Sequence, residues 1–111
     1  MSIRQYSVWW VALAPVRGSE QDGTRLCLVV SPDEINATLP VAIVVPLTTR
    51  KRNYPTRVKL DSIASHTGKV SYAIIDQIRT VSHARFKNHV CDINQKEVQA
   101  IKDTIRRTLV D

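Results

Sequence analysis

Three polar clusters break into an otherwise apolar pattern, and their side chains are of kinds that bind anions and move protons. The first runs Arg17-Gly18-Ser19-Glu20-Gln21 and ends in Thr24-Arg25, the second is Thr48-Thr49, and the third is Asp76-Gln77. An arginine offers a fixed fork of donors to an oxyanion, and a threonine hydroxyl both donates and accepts. A carboxylate takes up a proton near neutrality when burial raises its affinity for one. Each residue also has an ordinary reading: Arg25 as half of a surface ion pair, Thr48 as a turn hydroxyl on its own backbone, Asp76 as a buried acceptor of backbone N–H groups. Metal chemistry has less behind it. His83, His89 and Cys91 lie close together but lack a Cys-x-x-Cys partner, and they fit surface imidazoles and a small core side chain better. No metal or cofactor is expected.

The clusters must be held by the elements around them, and each lies at the end of an apolar segment. Tyr6 to Leu13 (YSVWWVAL) is rich in aromatic and β-branched residues at both alternating positions, which suits a strand covered on both sides. Pro15 to Thr24 holds two of the three glycines and is too long for an ordinary hairpin turn; long ordered loops of this kind tend to bind or catalyse. Arg25 to Val30 is the second strand, stopped at Ser31-Pro32-Asp33. Pro40 and Pro46 bracket VAIVV, a central strand. A charged turn follows, Arg50-Lys51-Arg52 and Asn53-Tyr54-Pro55, and then Thr56 to Leu60 alternates as a half-exposed strand. Gly68 opens a run from Lys69 to Ile75 that continues through Asp76-Gln77 into Ile78 to Val81, placing a carboxylate inside a strand-like segment. A helical turn is expected between Ser82 and Asn88, and a brief strand around His89 to Cys91.

Asn94 with Glu97 three residues on forms a capping box, and Val98, Ile101, Ile105 and Leu109 follow at helical spacing. That stripe predicts an amphipathic C-terminal helix facing the core, or a groove for a partner. Five or more short strands with one helix at the end predict a mainly β protein, a small β-barrel with an appended C-terminal α-helix. Strand ends and their loops share a rim in such a barrel, so the three clusters can converge there.

With 111 residues, 43% of them hydrophobic and 23% charged, residues 1–111 are expected to form a single domain rather than a disordered or fibrous chain. Sixteen Lys and Arg against ten Asp and Glu leave a net charge of +6, a balance that favours polyanionic partners such as nucleic acid. Cys27 and Cys91 are too few and too far apart for a disulfide scaffold, and a reducing cytoplasm is the expected setting. No apolar run is long enough to span a bilayer, and the start Met1-Ser2-Ile3-Arg4-Gln5 lacks the apolar stretch of a signal peptide, so no membrane partner is expected.

Taken together and in order, three blocks resemble the MazF/PemK family of toxin endoribonucleases. They are Gly18-Ser19-Glu20-Gln21 with Thr24-Arg25 after a Trp-containing strand, Pro46-Leu47-Thr48-Thr49, and Asp76-Gln77-Ile78-Arg79-Thr80. The resemblance covers nearly the whole chain. It implies an SH3-like barrel that pairs into a homodimer, and the toxin of a type II toxin–antitoxin module. It also implies a metal-independent, sequence-specific endoribonuclease acting on single-stranded mRNA, held silent by an acidic antitoxin. By the same resemblance Arg25, Thr48 and Asp76 are catalytic, and Ser19, Glu20, Gln21 and Gln77 contact the RNA near the cleaved bond. Arg17, Arg50, Lys51, Arg52, Arg57 and Lys59 would supply a phosphate track. The chain departs from the family where Tyr6-Ser7 replaces the usual Gly-Asp or Gly-Glu, and where Leu26 replaces the proline after the arginine. It departs again at Ile74 and Ser19, which stand where some relatives have a catalytic arginine and histidine. Two other readings are a gyrase-binding toxin on the same barrel without nuclease activity, and a degenerate RNA-binding relative.

Overall fold

Strands β1 (Ser7–Ala12), β2 (Thr24–Val29) and β3 (Val41–Thr48) are apolar at both alternating positions because each is covered on both faces. Val8, Leu28 and Val45 enter one cluster with Leu60, Ile63, Ile75 and Ile101. Their neighbours Trp9, Cys27 and Val44 enter a second with Leu13, Val81 and Phe86. A slip of one residue would exchange the two sets, so register is strongly specified. The computed structural model describes residues 2–13 and 23–111.

Four more strands complete the sheet: β4 (Arg57–Leu60), β5 (Ser71–Ile74), β6 (Arg79–Ser82) and β7 (Phe86–Asp92). The order is β4-β5-β3-β2-β1-β7, with β6 also on β3, and every pairing is antiparallel. Register shifts between Val8 and Trp9 and between Trp10 and Val11 add twist where β1 meets β7. The sheet curls in the manner of an SH3-like barrel without closing.

Several expectations change. β3 runs through Pro46 to Thr48 instead of stopping at Val45, because the strand changes partner there: β6 pairs up to Val44, and β5 takes over at Leu47. The segment from Lys69 to Val81 is broken into β5, a 3-10 turn at Ile75–Gln77 and β6. Asp76 therefore sits exposed on a turn, neither inside a strand nor buried. Since β3 and β4 both run antiparallel to the β5 between them, the basic segment 49–56 crosses from one side of β5 to the other and is not a hairpin turn. A short helix α1 (Asp33–Thr38), absent from the sequence reading, begins after Pro32 with two acidic residues in its first turn. A second, α2 (Ala64–Thr67), ends at Gly68, whose φ of +85° is the left-handed stop that glycine permits.

Helix α3 (Gln95–Ile105) starts with the capping box read from Asn94 and Glu97. Glu97 also reaches across the fold. Its buried carboxylate accepts from the Ser62 backbone N–H (3.0 Å), the Ser62 hydroxyl (2.6 Å) and the Asn94 N–H (3.0 Å). Ile101 is fully buried and Val98 and Ile105 pack against the same cluster, whereas Leu109 lies 50% exposed in a π-helical turn at Arg106–Val110, outside the core stripe.

Tyr6 has φ +68°, a left-handed backbone that costs a residue with a Cβ about 1–2 kcal/mol. This is one of the two positions where the family resemblance leads one to expect glycine and acid. At the other, the Ser7 hydroxyl accepts from Trp9 Nε1 at 2.8 Å and donates to the Arg4 carbonyl, so it serves the core instead of a carboxylate role.

Two stability measurements follow. Glu97→Ala leaves three donors without their acceptor and should lower urea stability by about 2–4 kcal/mol, with a loss below ~1 kcal/mol contradicting the tie. At position 6 the usual advantage of Ala over Gly should invert, Tyr6→Gly being more stable than Tyr6→Ala by about 1 kcal/mol in the same assay.

Candidate active site

The β2–β3 ladder ends at the pair Cys27–Pro46, and continuing that register by two residues places Arg25 opposite Thr48. Past the last pair, the Leu47 carbonyl accepts from Arg25 Nη2 at 3.0 Å. Among the described residues Arg25 makes no ion pair with a carboxylate, so the surface salt bridge is not its setting there. One donor of the fork is fixed on the backbone and the guanidinium is half-buried. Thr48 is half-buried beside it, and its Oγ1 accepts the Arg50 N–H at 3.2 Å. That is the turn hydroxyl considered from sequence, and it leaves the hydroxyl proton available for donation.

Arg25 and Thr48 line one groove of about 270 Å³ with Trp10, Thr24, Leu26 and Ser71. A larger cavity of about 440 Å³ between the N-terminal segment, α1 and His83 lies away from these residues and holds none of the three clusters. Leu26, the departure from the family's proline, pairs with Trp10 in a regular β1–β2 ladder, so β2 starts normally without it.

Asp76 and Gln77 are exposed on the turn after β5 and do not line this groove. That turn is anchored to the other side of β5, where the Ile75 N–H donates to the Thr56 carbonyl at 3.1 Å. Arg50, Lys51 and Arg52 are exposed on the crossover, Arg57 is half-buried, and Lys59 is 3.6 Å from Asp61. Arg17, Ser19, Glu20 and Gln21 lie outside the described residues.

Two arginines escaped the sequence reading as site residues. Arg79 Nη2 donates to the Leu13 carbonyl at 3.3 Å and Arg85 Nη1 to the Ala12 carbonyl at 3.2 Å, fixing the end of β1. The Leu13 N–H in turn donates to the Gly23 carbonyl at 3.0 Å, which draws the ends of β1 and β2 together. Arg79 had a signal in the Asp-Gln-x-Arg-Thr block; Arg85 had none. Among the described residues no group of three His, Cys, Asp or Glu side chains could hold a metal ion, and no helix is long and apolar enough to cross a membrane.

A guanidinium braced on a backbone carbonyl beside a hydroxyl whose proton is available, in an open groove on a curled antiparallel sheet, is an arrangement with the donors an oxyanion needs. Residues 4–109 match the family described as PemK-like, MazF-like toxin of type II toxin-antitoxin system, and the chain belongs to that family. It is 30% identical to the endoribonuclease MazF of Staphylococcus saprophyticus over 105 residues, covering 93% of this chain and 88% of that one. It is 29% identical to the endoribonuclease EndoA of Bacillus subtilis, covering 98% and 96% of the two chains. A mycobacterial endoribonuclease solved in complex with its cognate antitoxin superposes with a TM-score of 0.80 over 96% of this chain and 94% of its own; at 21% identity that likeness concerns the fold alone. The expectation of an endoribonuclease toxin agrees with these relatives, and the gyrase-binding alternative is not favoured.

Beneath Arg25, burial pushes the Cys27 thiol up to about 12, against the opposing pull of the Arg25 and Arg79 guanidiniums. Cys91 is raised as well, by burial first and then by Asp92 and Glu97. Both thiols are free and buried. Neither is expected to react with a thiol-specific disulfide reagent at pH 8 until the protein unfolds; fast labelling of Cys27 in native buffer would contradict the packing under Arg25. Stability should fall as pH rises from about 9 toward 12, because the unfolded thiol ionises while the folded one keeps its proton.

Proposed function

We propose that the Arg25–Thr48 groove seats the scissile phosphate of a single-stranded RNA and that this chain cleaves it without a metal. The observation that supports this reading is the Arg25 guanidinium, held at the Leu47 carbonyl next to Thr48 with no carboxylate partner among the described residues. The RNA supplies its own nucleophile: the 2′ oxygen bonds to phosphorus, the bond to the 5′ oxygen breaks, and the products carry a 2′,3′-cyclic phosphate and a 5′-OH. The departing oxygen takes a proton from solvent. Negative charge grows on the non-bridging oxygens, and the fork of Arg25 matches their geometry better than an ammonium would. Its position is preorganised by the Leu47 contact, so little reorganisation is needed in the transition state. Thr48, whose oxygen already accepts from Arg50, donates its proton to a phosphate oxygen.

Arginine is a poor base at neutral pH, so the 2′-OH proton goes to a carboxylate. Glu20 and Asp76 are the two candidates. Asp76 is exposed and does not line the groove. Ser19, Gln21 and Gln77 contact the RNA near the cleaved bond, and Arg17, Arg50 and Arg52 follow its phosphates. The toxin works as a homodimer in the cytoplasm, and an acidic antitoxin segment competes with RNA for the positively charged groove, a pairing that the net charge of +6 favours.

Purified protein incubated with a long single-stranded RNA in EDTA should cut at defined sites, and a 2′-deoxy substitution at the cut site should abolish cleavage there. Arg25→Ala should lower kcat/KM by about 100-fold or more, with Arg25→Lys recovering only part. Thr48→Ala should lose activity with an unchanged urea midpoint, and one of Glu20→Gln and Asp76→Asn should lose about 100-fold or more in kcat. Undiminished cutting by both Arg25→Ala and Thr48→Ala would sink the assignment.

A further inference from the structure

The crossover between β3 and β4 carries an aromatic ring that the groove chemistry leaves unused. Tyr54 is 55% exposed, in a segment with Arg50, Lys51 and Arg52 and no carboxylate between residues 49 and 56. Exposed aromatic rings are usually unremarkable singly, but this one is seated. The Arg57 guanidinium lies over the Tyr54 ring, 5.3 Å from its centroid, within the range of a cation–π contact. Arg57 Nη1 donates to the Arg50 carbonyl at 3.3 Å. Its Nε is buried and has no hydrogen-bond partner among the described residues. Among the described residues the Arg57 guanidinium therefore has the Tyr54 ring and the Arg50 carbonyl as its contacts, and no carboxylate. The Arg57 backbone N–H donates to the Tyr54 carbonyl at 3.1 Å and closes the turn that carries the ring.

The same set of contacts leads back to the groove. Thr48 Oγ1 accepts from Arg50, the Arg50 carbonyl accepts from Arg57, and Arg57 holds Tyr54. A strand leaving the groove past Thr48 would meet exposed cations spaced along the crossover and then a ring with one face supported from below. Cations that track a backbone, with an aromatic face among them, form the pattern by which single-stranded nucleic acid is held. A ring already immobilised by its turn and by Arg57 loses little freedom when a base stacks on it.

We propose that Tyr54 is a stacking platform for one nucleobase flanking the cleaved bond, and that Arg57 is the positioning residue that seats it. The proposal rests on the RNA cleavage proposed above. It makes Tyr54 a determinant of how the enzyme holds substrate, separate from the groups that act on the phosphate. An apolar protein segment would have to desolvate the three neighbouring cations to reach the ring, whereas the RNA backbone neutralises them.

The test uses oligonucleotides with one cut site and flanks on both sides, cleaved by the wild type and by Tyr54→Ala, Tyr54→Phe and Tyr54→Leu. Tyr54→Ala should lose about five- to 150-fold in kcat/KM, mainly through a raised KM. Tyr54→Phe should keep most of the activity, and Tyr54→Leu should behave like Ala because it has size without a π face. Abasic substitution at one flank position should cost the wild type the same factor and Tyr54→Ala nothing. Arg57→Gln should show part of the Tyr54→Ala loss and add nothing to it in the double variant. Cutting by Tyr54→Ala at the wild-type rate, equal activity of the Leu and Phe variants, or equal abasic penalties at every position in both proteins would overturn the platform while leaving the nuclease reading intact. Wild-type protein that neither cuts RNA nor binds a 2′-deoxy analogue would end both.

Discussion

The site depends on where one β-ladder stops. The Val30 N–H donates to the Ile43 carbonyl at 2.9 Å, so the carbonyls of Val45 and Leu47, two and four residues on, also face β2. The last pair is Cys27–Pro46, and the Leu47 carbonyl beyond it is taken by the Arg25 guanidinium. Pro46 has no N–H, and its nitrogen faces away from β2, into the junction where β3 exchanges β6 for β5. A residue that cannot donate thus sits between the last β6 pair at Val44 and the first β5 pair at Leu47. The ladder's end brings together a cation, the carbonyl that braces it and the Thr48 hydroxyl.

Around this junction the fold spends buried surface on rigidity and leaves charge at the rim. Cys27 and Val44 seal one face of the sheet and Leu28 and Val45 the other, so the strands beneath Arg25 and Thr48 cannot shift register without exposing two cores. Arg79 and Arg85 hold the end of β1 through the Leu13 and Ala12 carbonyls. Three guanidiniums therefore bond to main-chain carbonyls near the strand ends, and backbone oxygens do not cancel their charge.

The crossover extends the same economy outward. Since β3 and β4 are parallel with β5 between them, residues 49–56 must pass over to the far side of β5, carrying Arg50, Lys51 and Arg52 with them. Arg57, at the first position of β4, ties the far end of that passage to its start at Arg50 and to the Tyr54 ring. A segment that in a hairpin would project as a tip instead becomes a surface leading away from the groove.

Much of this was legible from residue order. The apolar strands, the Asn94–Glu97 cap and the three polar blocks that mark the family can be read because periodicity, capping and motif spacing are local properties. The meeting of Arg25 and Thr48 was an expectation from shared strand ends, and the β2–β3 register places them together. Other features were decided only in three dimensions. Asp76 is exposed because the apolar segment around it has to turn between two positions on β3, which its composition does not reveal. Glu97 reaches Ser62, and Arg85 the Ala12 carbonyl, across separations no local pattern encodes. Tyr6 takes a left-handed backbone, φ +68°, that its side chain disfavours, because its N–H donates to Val29 and its carbonyl accepts from Ile93, fixing the chain on both sides. Sequence determined which groups the protein can bring to an anion; tertiary pairing decided which of them share a groove, since that depends on where ladders end and strands exchange neighbours.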